Sequence, residues 1–449
     1  MMHRLVLPAL AIAVSLPAQA APITAERVLE TVSWLAADER AGRDTGSPEL
    51  IAAGEWIAAR FAAAGLQQLR PDSWYHEFPL PGQVLDSREV RLKLVRKVGD
   101  EQQEFVLAGD TEARQWTAGD ALRGDGEPAT VALLDDPVLQ RMLQAESARR
   151  LVVCEVAEDH PFWLKAAGSR SVLGGRRQAA RPLLLVKKGL LPAAPDDRRE
   201  ATWTATWSVG QPAKTEVAQR NVVGLLRGGA KREEHVVVSA HYDHVGVGAP
   251  VGGDHIYNGA DDDATGTTAV LLLAEAMSKQ PPPQRSVLFV CFTGEEKGLL
   301  GSAAFCRQPP VPIASIVANL NIEMIGRPEP GKEGMAWITG AELSDFAAIV
   351  EPALRRGGIA LTDFRMASQL FAASDNYSFV RQGIVAHSLS AGSLHADYHK
   401  PSDSVDKLDI PHMTKVIGGL LQAATELADR AEPPQWNDKG RERLQRLKR

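Results

Sequence analysis

His235-Val236-Val237-Val238-Ser239-Ala240-His241-Tyr242-Asp243-His244 is a short β-branched apolar run that stops on histidine and acid. Too short for a core helix and apolar throughout, the run predicts a strand buried on both faces. The next marked stretch is Asn258-Gly259-Ala260-Asp261-Asp262-Asp263-Ala264-Thr265-Gly266, with a helical apolar segment at 267–278 directly behind it. A second buried-strand run, Val287-Leu288-Phe289-Val290-Cys291-Phe292, then closes on Thr293-Gly294-Glu295-Glu296. Strand, helix and strand in this order define an α/β fold. Working outward, further apolar runs at 222–226, 316–322 and 383–389 and helical segments at 344–355 and 411–431 extend the alternation. The expectation is a mainly parallel, helix-covered mixed sheet, whose ligands bind beyond the carboxyl ends of its strands.

Upstream, Thr24 caps a helix with apolar positions Val28, Leu29, Val32 and Leu35. Ser47, Pro48 and Gly65 mark the cap, first turn and stop of a second helix. Between them Arg40-Ala41-Gly42-Arg43-Asp44-Thr45-Gly46 reads as a polar turn. From 86 to 209 short alternating runs (90–95, 129–134, 182–186, 203–209) separated by Arg- and Gly-rich loops predict a strand-rich insert. The polar, basic tail at 431–449 is expected to fray beyond Pro434.

The chain of 449 residues is 44% hydrophobic and 24% charged, ordinary values for a globular protein. Its 56 acidic and 50 basic side chains, a net charge of -6, argue against a nucleic-acid partner. Arg4, an apolar run at 5–17 and Ala18-Gln19-Ala20 have the pattern of a signal peptide over residues 1–20, with a mature start near Ala21 and a periplasmic or extracellular destination. No cysteine follows the run, so no lipid or membrane anchor is indicated. Cys154, Cys291 and Cys306 allow one disulfide at most, and none forms a C-x-x-C pair.

Five segments carry candidate chemistry. His241 at a strand end offers an imidazole ligand, and Asp243 two residues on can take the other ring N–H. The three aspartates repel one another unless a cation neutralises them, although such a run also suits a solvated helix cap. Glu295 and Glu296 pair a free base with a ligand, or simply begin a helix. Glu323 closes the run Asn319-Leu320-Asn321-Ile322, and His399 stands beside Tyr398 in His395-Ala396-Asp397-Tyr398-His399. Mixed imidazole and carboxylate donors suit zinc, with cobalt or manganese as substitutes. Two histidines and three carboxylates are too many for one tetrahedral ion, whereas two ions sharing a carboxylate use all five and serve hydrolysis.

In this order the segments resemble the family-28 zinc exopeptidases, the group of bacterial leucyl aminopeptidases and glutamate carboxypeptidase. The resemblance covers roughly residues 24–78 and 221–427, and implies a zinc peptidase domain made of 21–85 and 210–430. It implies two zinc ions, one held by His241 and Glu323 and the other by Glu296 and His399, with Asp262 bridging and a cis bond to Asp263. It implies Glu295 as general base and Tyr398 as oxyanion donor, with Asp243, Asp263 and Asp375 (in Ser374-Asp375-Asn376) in support. Peptides with a free N-terminus are the implied substrates. The chain departs from the pattern at Glu323, where many members carry Asp. The insert occupies the place where many relatives carry a protease-associated domain. Carboxypeptidase, glutaminyl cyclase and receptor-like relatives are the alternatives; Arg327 and Arg381 are the candidates for holding a substrate carboxylate.

Overall fold

The computed structural model describes residues 23–133, 150–173, 181–192 and 201–447; the N-terminal signal pattern lies outside them. A nine-stranded mixed sheet organises the molecule. Its strands are β1 (Tyr75–Asp86), β2 (Ser169–Leu173), β3 (Ala213–Leu226), β4 (Lys231–His241), β5 (Arg285–Phe292), β6 (Ile316–Ile322), β7 (Met335–Ile338), β8 (Ala360–Leu361) and β9 (Val385–Ser390). They lie in the order β8-β7-β9-β6-β4-β5-β3-β1-β2. β4 pairs parallel with both β5 and β6, and β6 with β9, so the centre is parallel as the continuous apolar runs imply. β3 against β5, β1 against β3 and β2, and β7 against β9 are antiparallel. The flanks are thus less parallel than the sequence suggests, because β1 and β3 form one long hairpin stem leading into the insert.

The helices that frame the large sheet include α1 (Ala25–Leu35), α2 (Pro48–Ala64), α3 (Gly266–Met277), α4 (Leu300–Arg307), α5 (Phe346–Arg356), α6 (Asn376–Val380), α7 (Ile410–Asp429) and α8 (Asp438–Leu447). Ser47 Oγ accepts from Leu50 N (3.1 Å), and Gly65 stops α2 in the left-handed conformation. α3 is buried nearly all round, with Val270, Leu271, Leu272 and Leu273 wholly enclosed. Full burial of each such side chain stabilises by about 1.5–3 kcal/mol. α1, α2 and α7 pack on it, while α4 and α6 pack on each other. Leu29, expected on the inner face of α1, is exposed.

Much of the stretch 86–209 folds into a separate seven-stranded sheet with its own apolar cluster, including Leu94, Val153, Val186 and Trp207. β2 alone leaves that stretch and joins the large sheet through β1. As far as Leu447 the tail is not frayed. Trp436 is buried, its indole N–H donates to Gly383 O (2.8 Å), and α8 follows directly. Among the described residues the three cysteines are free and buried, and no helix is long and apolar enough to cross a membrane.

One buried polar network has a pH consequence. His387 Nδ1 must donate to Thr339 O (2.7 Å), so Nε2 accepts from Ser344 Oγ (2.7 Å). Burial holds the imidazole neutral, its pKa lowered from 6.5 to about 4. The unfolded chain therefore binds the extra proton first. Stability from this site is complete above about pH 6.5 and is lost as pH falls through about 4, on the order of 3 kcal/mol. Urea midpoints at pH 7 and 4.5 should fall less for His387→Gln than for wild type; equal falls would refute the assignment.

Candidate metal centre

The site forms where β4, β5 and β6 end. The loop carrying the aspartates is held from three sides. Gly259 has φ 57°, and a Cβ there would lie 2.2 Å from Asp262 O and 2.4 Å from the His244 ring. At Gly266 a Cβ would lie 2.4 Å from Asp263 Oδ2. Only glycine lets these backbones approach so closely. Asp403 accepts at its carboxylate from Asp261 N (3.1 Å) and Asp262 N (3.2 Å), while its carbonyl accepts from Ala260 N (3.1 Å). The Asp262–Asp263 bond is cis, as the resemblance implies.

The third restraint is Arg43, which the sequence suggested was merely part of a polar turn. It is wholly buried. Its guanidinium donates to Tyr242 O (2.9 Å), Leu35 O (2.6 Å), Asn258 O (2.8 Å) and Gly259 O (3.0 Å). The loop after β4 and the loop before Asp262 are thereby tied to one side chain. Burial lowers its pKa to about 10, so it remains a cation among Asp243, Asp262, Asp403 and Asp263.

All five expected donors converge. Asp262 lies between two groups: Oδ1 is 3.2 Å from His241 Nε2, and Oδ2 is 3.1 Å from His399 Nε2. Glu323 Oε2 is 3.7 Å from His241 Nε2, and Glu296 Oε2 is 3.2 Å from His399 Nε2. Two sets of donor atoms lie within 4.8 Å of one another: His241, Asp263 and Glu323, and His244, Asp262, Glu296 and His399. His244 had no role in the sequence reading beyond lying in the motif. It is buried, with Nδ1 2.7 Å from Glu296 Oε1 and its ring edge-on to His399. Its spacing three residues after His241 was the available signal.

The supporting residues act differently from expectation. His241 Nδ1 donates to the backbone carbonyl of Asp243 (3.0 Å), leaving Nε2 bare for a ligand role. The Asp243 carboxylate lies farther off, at 3.7 Å, because it accepts from Thr45 Oγ1 (2.8 Å) and Glu295 N (3.2 Å) instead. Asp263 Oδ1 accepts from Gly266 N (3.0 Å) and Met324 N (3.1 Å). Asp375 is buried with neither carboxylate oxygen hydrogen-bonded among the described residues, and burial pushes its pKa up to about 7. The contact to the ligand set comes from its neighbour: Ser374 Oγ donates to Glu323 Oε1. Tyr398 is stacked on His399 at 3.9 Å and 40% exposed.

The electrostatics fit a divalent cation. Burial and Asp262 act to raise Glu296, yet His244 and His399 outweigh them and hold its pKa at about 2. Burial acts to lower His399, but Asp262 and Glu296 lift its pKa to about 10. Burial, reinforced by the nearby Glu323, Asp375 and Glu296, pushes Glu295 well above the ordinary carboxylate range. His399 Nε2, Glu296 Oε1 and Asp263 Oδ2 are buried without a hydrogen-bond partner among the described residues. Such bare, inward-facing donors are costly unless a cation joins them, and the nitrogen–oxygen set is one that zinc accepts.

The arrangement places two groups of potential metal ligands at the open end of an α/β sheet. Residues 221–424 match the family model described as Peptidase family M28. It is 28% identical over 219 residues to a probable leucine aminopeptidase of Trichophyton verrucosum (strain HKI 0517), covering 46% of this chain and 57% of that protein. It is 24% identical over 238 residues to aminopeptidase YwaD of Bacillus subtilis (strain 168), covering 49% and 47%. The chain thus spans about half the length of the curated relatives it matches. Among solved structures, a zinc aminopeptidase from Bacillus subtilis shares the fold with a TM-score of 0.54 at 17% identity, covering 91% and 96%. An aminopeptidase from Aneurinibacillus sp. strain AM-1 does so with a TM-score of 0.51 at 19% identity, covering 92% and 95%.

Proposed function

We propose that this protein is an exported two-zinc aminopeptidase that removes N-terminal residues from peptides. The observation carrying the reading is Asp262, whose two oxygens face two histidines in two separate donor sets. His241, Glu323 and Asp262 would hold one ion; Asp262, Glu296 and His399 would hold the other. His244 Nδ1 lies 2.7 Å from Glu296 Oε1, while Oε2 faces His399. When bound, the ions supply Lewis acidity and neutralise the clustered carboxylates.

The chain's own groups do the rest. Glu295 takes the proton from the attacking water and gives it to the leaving amine. Its neighbour Asp243 holds the Glu295 backbone, which aims the base. The exposed Tyr398 hydroxyl donates to the developing oxyanion. A substrate ammonium is attracted to the carboxylate surplus around Glu323, which favours a free N-terminus. Arg327 is already engaged with Asp397 (2.8 Å) and so does not serve as a carboxylate anchor for a carboxypeptidase.

Elemental analysis of dialysed, active protein should give two zinc-class ions per chain, and a free peptide should be cleaved while its N-acetyl form is not. A single ion at full activity would sink the shared-ligand reading. Equal cleavage of the acetylated peptide would sink the aminopeptidase reading.

A further inference from the structure

Two cavities meet at the centre. One, of ≈ 80 Å³, is lined by His241, Asp262 and Glu323 together with Met324, Trp337 and Leu370. The other, of ≈ 580 Å³, is lined by Glu295, Glu296 and Leu80 and by Arg307, Tyr377 and Arg381. Glu295, Ala373 and Tyr398 belong to both walls. The proposed base and oxyanion donor therefore stand on the ridge between the cavities. On the aminopeptidase reading, a scissile bond beside them would place its N-terminal residue in the small cavity and its leaving portion in the large one.

The large cavity is lined by charges of both signs. Its acids are Glu295 and Glu296, which belong to the centre. Arg307, at the end of α4, and Arg381, just after α6, are its cations. Both are exposed, and neither makes an ion pair or side-chain hydrogen bond with the described residues. Other arginines of the molecule do pair: Arg220 with Glu55 (3.0 Å) and Arg327 with Asp397 (2.8 Å). A guanidinium offers a planar fork that matches a carboxylate. The volume falls within the ~300–1,000 Å³ that holds small ligands.

Resting on the aminopeptidase reading, we propose that the large cavity is the leaving-group subsite and selects a carboxylate there through Arg307 and Arg381. The carboxylate comes either from the C-terminus of a di- or tripeptide or from an acidic side chain beside the scissile bond. The centre would then read a short peptide by both charged ends, ammonium toward Glu323 and carboxylate toward the arginines.

The test uses the full zinc-loaded chain and two substrate pairs: Leu-Ala-Ala against its C-terminal amide, and Leu-Glu-amide against Leu-Gln-amide. In wild type, kcat/KM should favour the acid by roughly fivefold in at least one pair, and less at high salt. In the double variant Arg307→Gln/Arg381→Gln that ratio should collapse toward one. Preference confined to the first pair assigns the carboxylate to the C-terminus; preference confined to the second assigns it to the side chain. Equal rates within both pairs in wild type, or a ratio that survives in the double variant, would overturn the subsite while leaving the aminopeptidase reading intact. No turnover of any of the four would overturn both.

Discussion

Replacing Glu295 with Gln should lower kcat by about 10²–10⁴-fold, the usual contribution of general acid–base catalysis. At 1.36 kcal/mol per tenfold, that is about 2.7–5.4 kcal/mol of barrier. The substitution keeps shape and removes only proton affinity. Glu295 belongs to neither donor set, and its backbone N–H is already fixed by Asp243, so bound zinc and folding should stay near wild-type levels. Glu296 contrasts with it, because its two oxygens face His244 and His399. Glu296→Gln should lose activity by losing metal. Turnover and zinc content measured on both variants separate the roles. Near-normal kcat in Glu295→Gln, or parallel metal loss in the two, would show that the division between adjacent glutamates is wrong.

Arg43→Met should destabilise the zinc-loaded protein by about 3–5 kcal/mol, near the upper limit for single substitutions. The methionine fills much of the volume but removes the guanidinium donor from the carbonyls of Leu35, Tyr242 and Asn258, while Gly259 O keeps only Ala264 N (3.3 Å). Each buried acceptor abandoned in this way costs about 1–3 kcal/mol before relaxation. The negative groups around it also lose their counter-charge. Arg43→Lys should recover only part of the loss, since an ammonium cannot span the same fork. Urea midpoints with unchanged slope would measure this. A loss below 1 kcal/mol for Arg43→Met would mean water replaces the guanidinium.

The central strands and α3 were legible because burial on every side leaves continuous apolar runs. Each strand end could then be searched for donors, and His241, Asp262, Glu296, Glu323 and His399 do meet in space. Arg43 was hidden because arginine is rarely fully buried and a charged turn reads as solvated. Ser374 and Asp403 act through one hydroxyl and one carboxylate, with no periodic pattern to betray them. β2 escaped detection because its pairing with β1 is set by tertiary packing rather than by its own short sequence. The tail misled for the opposite reason: α8 carries almost no apolar stripe, and the single indole of Trp436 fixes its approach.

The wide separation of the site's parts along the chain has a biosynthetic consequence. His241 emerges from the ribosome long before His399, and the loop bearing Asp262 gains its Asp403 restraint later still, while Arg43 waits from the beginning. Compact N-terminal portions ordinarily fold first during synthesis, yet here no N-terminal fragment ending before His399 contains a complete ligand set. On the proposed function, a nascent chain that has not yet reached His399 would lack the second ligand set and would not cleave peptides.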